Sequence, residues 1–140
     1  MGRATVLLAE DHPGNAQLLR ELLQAEFDLV GEVADGKALV SEAERLAPDV
    51  VVADISMPGL DGIEATRRIL AHNVNVRVVL VTAREEAALV EHGLGAGALG
   101  YVVKRTAGEE LVPAIDSALR GEPRVSGVDG WDRSGRKSCR

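Results

Sequence analysis

Five short Val-rich apolar runs recur along the chain: ATVLLA (4–9), DLVGEV (28–33), DVVVAD (49–54), VRVVLVT (76–82) and ALGYVVK (98–104). Stretches of helical periodicity separate them, and this alternation constrains the fold more than any other feature. In 14–26, Leu18, Leu19, Leu22 and Leu23 fall on one helical stripe. In 36–47, Ala38, Leu39, Ala43 and Leu46 do the same, as do Ile63, Ala65, Ile69 and Leu70 in 62–71. Residues 84–92 make a shorter candidate helix and 108–120 a final one. Apolar strands without polar alternation are buried on both faces, which is the signature of a parallel sheet covered by helices. Five such units predict a doubly wound α/β domain, a three-layer sandwich of about 120 residues with right-handed crossovers.

In such sheets the functional site lies beyond the carboxyl ends of the strands, near the reversal in strand order. Glu10 and Asp11 follow the first run, Asp54 ends the third, Thr82 the fourth and Lys104 the fifth. The second run leads only into a turn, ADGK. Three acids, a hydroxyl and an ammonium thus come to one edge of the sheet.

Their types dictate the chemistry. Crowded carboxylates repel one another unless a cation is shared. Mg²⁺ suits them, because it takes oxygen ligands and is held by few carboxylates together with a phosphate. Lys104 adds a point charge suited to a carboxylate or phosphoryl oxygen, and Thr82 a hydroxyl donor. No His or Cys stands at a strand end, so Asp54 is the natural nucleophile, and aspartyl-phosphate chemistry is an established use of a carboxylate. The stretch SMPGLDG (56–62) then supplies a loop that can turn a backbone carbonyl toward the metal, with Pro58 fixing φ and Gly59 and Gly62 permitting tight geometry.

Composition removes several function classes. Residues 1–121 hold 11 Lys/Arg against 19 Asp/Glu, a balance of −8, so the body repels a phosphate backbone. Phe27, Tyr101 and Trp131 are the only aromatics, too few for a base-stacking platform. Cys139 is the single cysteine and forms no disulfide framework within the chain. No apolar run approaches a membrane span and no signal-peptide pattern opens the chain, which reads as cytoplasmic.

In order, VLLAEDHP, VVADISMPGLDG, LVTA and AGALGYVVK resemble the receiver domain of bacterial two-component response regulators over residues 4–121. The resemblance implies a flavodoxin-like (βα)5 fold with strand order 2-1-3-4-5. It implies Asp54 as phosphoacceptor, with Mg²⁺ held by Asp11 directly, by Glu10 through water, by Asp54 and by the Ser56 backbone carbonyl. Thr82 would be the switch hydroxyl, Tyr101 the ring that rotates inward with it, and Lys104 the phosphoryl-binding ammonium. The implied partner is a histidine kinase or phosphotransfer protein, with homodimer formation on phosphorylation. Such a domain catalyses its own phosphorylation and dephosphorylation and is not otherwise an enzyme.

EDHP, ISMPGLDGIEATRRI and AGALGYVVK are closest to the NarL/FixJ-type regulators, which usually carry a helix-turn-helix output domain. After ALRGEP only 17 residues follow (124–140), without helical periodicity, so the reading is a receiver at 1–121 with a disordered basic tail or truncated linker at 122–140 and no direct DNA binding. The last helix also departs from the family pattern. It opens on Ala107-Gly108 and contains Pro113, which predicts a kink or a shortened first turn, with Thr106 as a cap. His12 reads as a solvated loop residue.

Two other functions compete. A phosphohydrolase of the haloacid dehalogenase type needs a second Asp two residues after the nucleophile, where this chain has Ser56. A phosphorylation-independent interaction module would use the same fold for its surface alone.

Overall fold

The computed structural model describes residues 2–137; Cys139 lies outside the described residues. β1 (Thr5–Ala9), β2 (Asp28–Val33), β3 (Val50–Ala53), β4 (Arg77–Thr82) and β5 (Gly100–Val103) alternate with α1 (Pro13–Glu26), α2 (Gly36–Leu46), α3 (Gly62–His72) and α4 (Ala87–Gly95). A single 3₁₀ turn, Lys104–Thr106, leads into α5 (Ala107–Leu119), and a short β6 (Arg124–Ser126) follows. All six strands pair in parallel, in the order 2-1-3-4-5-6. The fold is the expected flavodoxin-like sandwich with one more strand at its edge.

Strand side chains alternate between two cores. Val6, Leu8, Val50, Val52, Val79, Val81 and Val102 pack with α1 and α5 through Leu19, Leu23, Leu111 and Ile115. Leu7, Ala9, Val51, Ala53, Val78 and Leu80 pack on the opposite face with Leu39, Ile63, Ile69 and Val90 from α2, α3 and α4. Both sets are almost fully buried. That is why the inner strands are apolar at nearly every position, while the edge strand β2 (DLVGEV) is only partly buried and carries Asp28 and Glu32.

Helix starts follow side-chain caps. Asp35 Oδ1 accepts from the Ala38 N–H at 2.8 Å and starts α2, and Asp61 Oδ1 accepts from the Glu64 N–H at 2.8 Å and starts α3. His12 occupies the same position for α1, where its Nδ1 accepts from the Asn15 N–H at 3.3 Å. It is exposed, yet it has a capping role that its place in a loop did not suggest.

Two features differ from expectation at the carboxyl end. α5 is assigned as one helix with Pro113 inside it, with no shortening of its first turn, and the Thr106 hydroxyl donates backward to the Val103 carbonyl at 3.0 Å instead of capping the helix. Residues 124–126, expected as part of an irregular tail, form β6 on the free edge of β5, with the Arg124 N–H bonded to the Leu99 carbonyl at 2.8 Å. Val125 and Val128 are buried there and Trp131 packs partly against the same core. A three-residue strand carries no periodicity of its own, and its pairing comes wholly from the edge it meets.

Candidate functional site

The strand order reverses between β1 and β3, and the acids from these two strands stand side by side there. Glu10 follows Ala9 at the end of β1, and its N–H bonds to the Val33 carbonyl at 3.0 Å. The Asp54 N–H bonds to the Ala9 carbonyl at 3.1 Å. Glu10 and Asp54 are both buried while Asp11 is exposed, and one carboxylate oxygen of each lies within 4.8 Å of the others.

Lys104 enters from the end of β5. Its Nζ is 2.7 Å from Asp54 Oδ2 and 2.6 Å from Glu10 Oε1. The Asp54 contact is a hydrogen bond. The Glu10 contact is a close, buried ion pair. Burial opposes the ammonium charge, but the Asp54 and Glu10 carboxylates outweigh it and hold the Lys104 pKa above its ordinary value. The second oxygens are held by the backbone: Asp54 Oδ1 accepts from the Ser56 N–H at 3.1 Å, and Glu10 Oε2 from the His12 N–H at 3.0 Å.

The loop after Asp54 is compressed against β3. The Gly62 N–H bonds to the Ile55 carbonyl at 2.9 Å, and a Cβ at Gly62 would overlap the Asp54 carbonyl oxygen. Gly59 sits at φ +78°, where glycine is favoured.

Thr82 and Tyr101 are buried and are joined through one backbone unit. Thr82 Oγ1 accepts from the Arg84 N–H at 3.2 Å, and the Tyr101 hydroxyl donates to the Arg84 carbonyl at 2.9 Å. The Tyr101 ring already points inward, fully buried. Burial, reinforced by Glu86, pushes its pKa well up and keeps the phenol protonated. Arg84 is the residue that the sequence did not single out. It acts here through its main chain, which leaves no mark on side-chain type.

An all-oxygen set of three clustered carboxylates fits a small divalent cation. A parallel α/β sandwich with acids at its switch point, and a lysine reaching them from the fifth strand, defines a doubly wound domain of the flavodoxin-like class. The model of the response regulator receiver domain matches residues 6–116, and the chain belongs to that family. Several solved relatives are named as NarL or as members of the LuxR family. The uncharacterized transcriptional regulatory protein YxjL of Bacillus subtilis is 38% identical over 119 residues, which cover 84% of this chain and 55% of that protein. Transcriptional regulatory protein PdtaR of Mycobacterium tuberculosis is 36% identical over 126 residues, covering 89% and 61%. The chain thus spans little more than half the length of these curated relatives.

Among solved structures, a LuxR-family two-component response regulator from Aurantimonas sp. SI85-9A1 superposes with a TM-score of 0.83 at 34% identity, over 89% of each chain. The isolated REC domain of RcsB from Salmonella enterica serovar Typhimurium, in the presence of phosphomimetic BeF3⁻, gives 0.80 at 27% identity, over 89% of this chain and 94% of that one. Receiver domains are signalling domains rather than metabolic enzymes. They work with histidine kinases or phosphotransfer proteins and bind Mg²⁺ at an acidic pocket, and this chain has an acidic cluster of Glu10, Asp11 and Asp54. Among the described residues no helix is long and apolar enough to cross a membrane.

Proposed function

We propose that this chain is a phosphorylation-dependent switch of a two-component phosphorelay, with Asp54 as phosphoacceptor and a histidine kinase or phosphotransfer protein as donor. The observation that carries the proposal is the placement of Lys104 against both Asp54 and Glu10, with Asp11 beside them, at the reversal point of the sheet. An Asp54 carboxylate oxygen attacks the phosphorus of a phosphohistidine. The new O–P bond forms as the P–N bond breaks, and the electron pair leaves with the imidazole nitrogen, which then takes a proton. Glu10, Asp11, Asp54 and the Ser56 carbonyl are the residues that would hold Mg²⁺. When bound, it screens the carboxylates from the anionic donor.

Lys104 exchanges its contact with the Asp54 carboxylate for a phosphoryl oxygen, and the Thr82 hydroxyl turns from the Arg84 N–H to donate to another. Arg84 connects Thr82 to Tyr101, so this turn reaches the β4–α4 loop and β5. The domain spans 1–121. It forms homodimers when phosphorylated, acts in the cytoplasm, and does not itself bind DNA, in keeping with its acidic body. It turns over no metabolite beyond its own phosphorylation and dephosphorylation.

The test is intact-mass spectrometry after incubation with acetyl phosphate and Mg²⁺. One added phosphoryl group is expected, absent with EDTA and in Asp54→Asn. A phosphorylation-independent interaction module is the second reading. Partner binding that is unchanged in Asp54→Asn would select it.

A further inference from the structure

The turn after β2, residues 33–36, places no side chain in the site, yet it touches the site's framework from two directions. The Val33 carbonyl accepts the Glu10 N–H at 3.0 Å and fixes the main chain that carries the first acid pair. At the other end of the turn, Gly36 opens α2 directly against the loop between β3 and α3. Gly36 is buried, and a Cβ there would overlap the Leu60 carbonyl oxygen and stand 2.7 Å from the Leu60 carbonyl carbon and Cβ. Its φ is not among the positive ones, so close approach is what requires glycine at this position. Asp35, which caps α2 through the Ala38 N–H at 2.8 Å, sets where that first turn begins.

The β3–α3 loop is thus gripped twice. Gly62 lies against the Asp54 carbonyl, with its N–H bonded to the Ile55 carbonyl at 2.9 Å, and Leu60 lies against Gly36. Between them the Leu60 N–H bonds to the Pro58 carbonyl at 3.0 Å, and the Leu60 side chain packs on the core. Both grips press a glycine on main-chain atoms, so neither can be relieved by turning a side chain. Ser56 itself is exposed, and packing of its own side chain does not set the direction of its carbonyl. That direction is set by the loop's anchors.

We infer that Gly36 is a positioning residue for the cation site: by letting α2 close on the Leu60 carbonyl it fixes the β3–α3 loop, and through that loop the Ser56 carbonyl. The inference rests on the proposed Mg²⁺ and phosphoacceptor roles. Gly36 touches neither cation nor phosphoryl group and acts only through Leu60. A methyl group at this position meets backbone, so α2 and the loop must separate, and the Ser56 carbonyl moves relative to Asp11 and Asp54. Mg²⁺ demands near-ideal octahedral geometry and tolerates such a shift poorly. The effect falls on cation affinity, because Asp54, Thr82 and Lys104 keep their places on β3, β4 and β5.

The experiment is a Mg²⁺ titration of the whole chain read by amide NMR shifts, with acetyl-phosphate labelling followed across the same Mg²⁺ range. Gly36→Ala should raise the Mg²⁺ midpoint about tenfold, while labelling at saturating Mg²⁺ stays within about twofold of the wild type. Before Mg²⁺ is added, the Ser56 and Gly62 amides of the variant should exchange about tenfold faster, with those of Leu8 and Val52 unchanged. Gly31→Ala is the control: it presses only on the side-chain ends of Leu46 and Leu7 in the same β–α unit and should leave the midpoint where it is. If Gly36→Ala does not fold, Asp35 decides. Asp35→Ala removes the α2 cap and should weaken Mg²⁺ binding about threefold, whereas Asp35→Asn, which keeps a capping oxygen without the charge, should bind as the wild type does. A wild type that binds Mg²⁺ and is labelled, beside a Gly36→Ala or Asp35→Ala chain with the same midpoint and the same Ser56 exchange, would overturn the positioning role and leave the phosphoacceptor reading intact. A wild type without any Mg²⁺ shift would overturn both.

Discussion

Lys104 Nζ stands 2.7 Å from Asp54 Oδ2, so a buried carboxylate on β3 receives its counter-charge from a residue 50 positions further along the chain. The same ammonium meets Glu10 from β1. One cation therefore ties three strands together at the site, and its removal is informative in several ways.

Lys104→Ala leaves Asp54 and Glu10 buried without their partner. Breaking a fully buried pair costs several kcal/mol, and the partial exposure of Lys104 reduces this to roughly 1–3 kcal/mol. A urea unfolding curve measures the loss. Added Mg²⁺ should restore more stability to the variant than to the wild type, because the cation takes over the role of the ammonium. Equal Mg²⁺ effects on both chains would count against a shared cation site.

Alkaline pH should destabilise the protein through two groups. The folded-state pKa of Lys104 is raised above 10.5 and that of Tyr101 above 10.0. In both cases the folded state retains a proton that the unfolded state gives up first, so stability falls as pH rises. Their contribution is fully present below about pH 10 and is lost above it. Thermal unfolding between pH 7 and 11 checks this. Tyr101→Phe should flatten the alkaline slope, and an unaltered slope would remove Tyr101 from the account.

Gly62→Ala and Gly59→Ala separate close approach from backbone strain. The first places a methyl group on the Asp54 carbonyl, an overpacking worth about 1–3 kcal/mol, and displaces the loop that carries Ser56. The second meets no neighbouring atom and costs only the left-handed backbone penalty, about 1–2 kcal/mol. Acetyl-phosphate labelling, read by intact mass, should slow markedly in Gly62→Ala and hardly at all in Gly59→Ala.

Thr82→Ala and Tyr101→Phe each remove one hydroxyl from the Arg84 backbone, and each should cost about 0.5–1.5 kcal/mol. Since both act on the same peptide segment, the double variant should lose less or more than the sum, by at least about 0.5 kcal/mol. Strict additivity in denaturant titrations would show that Arg84 does not couple them.

The sheet and the identity of the acids were legible because each is recorded locally. A strand buried on both faces must be apolar at every position, as VLLA, VVVA and VVLV are, and a polar residue that ends such a run must lie at the strand's carboxyl edge. The family-like spacing then pointed to Asp54, Glu10, Asp11, Thr82, Lys104 and Tyr101 together. The capping use of Asp61 and His12 was only half legible, because the same residue types serve caps and sites alike.

The sequence by itself determined the layers of the sandwich and which residue types gather at one edge, since burial writes its pattern into consecutive residues. Only the tertiary structure decided that Lys104 serves both Glu10 and Asp54, that Arg84 acts through its main chain, that α5 is one helix with Pro113 inside it, and that residues 124–126 extend the sheet. Each of these depends on a partner far away in the chain or on backbone groups common to all residues. An edge of β5 with unpaired main-chain groups, rather than any periodicity in 122–137, is what makes a strand of Arg124–Ser126.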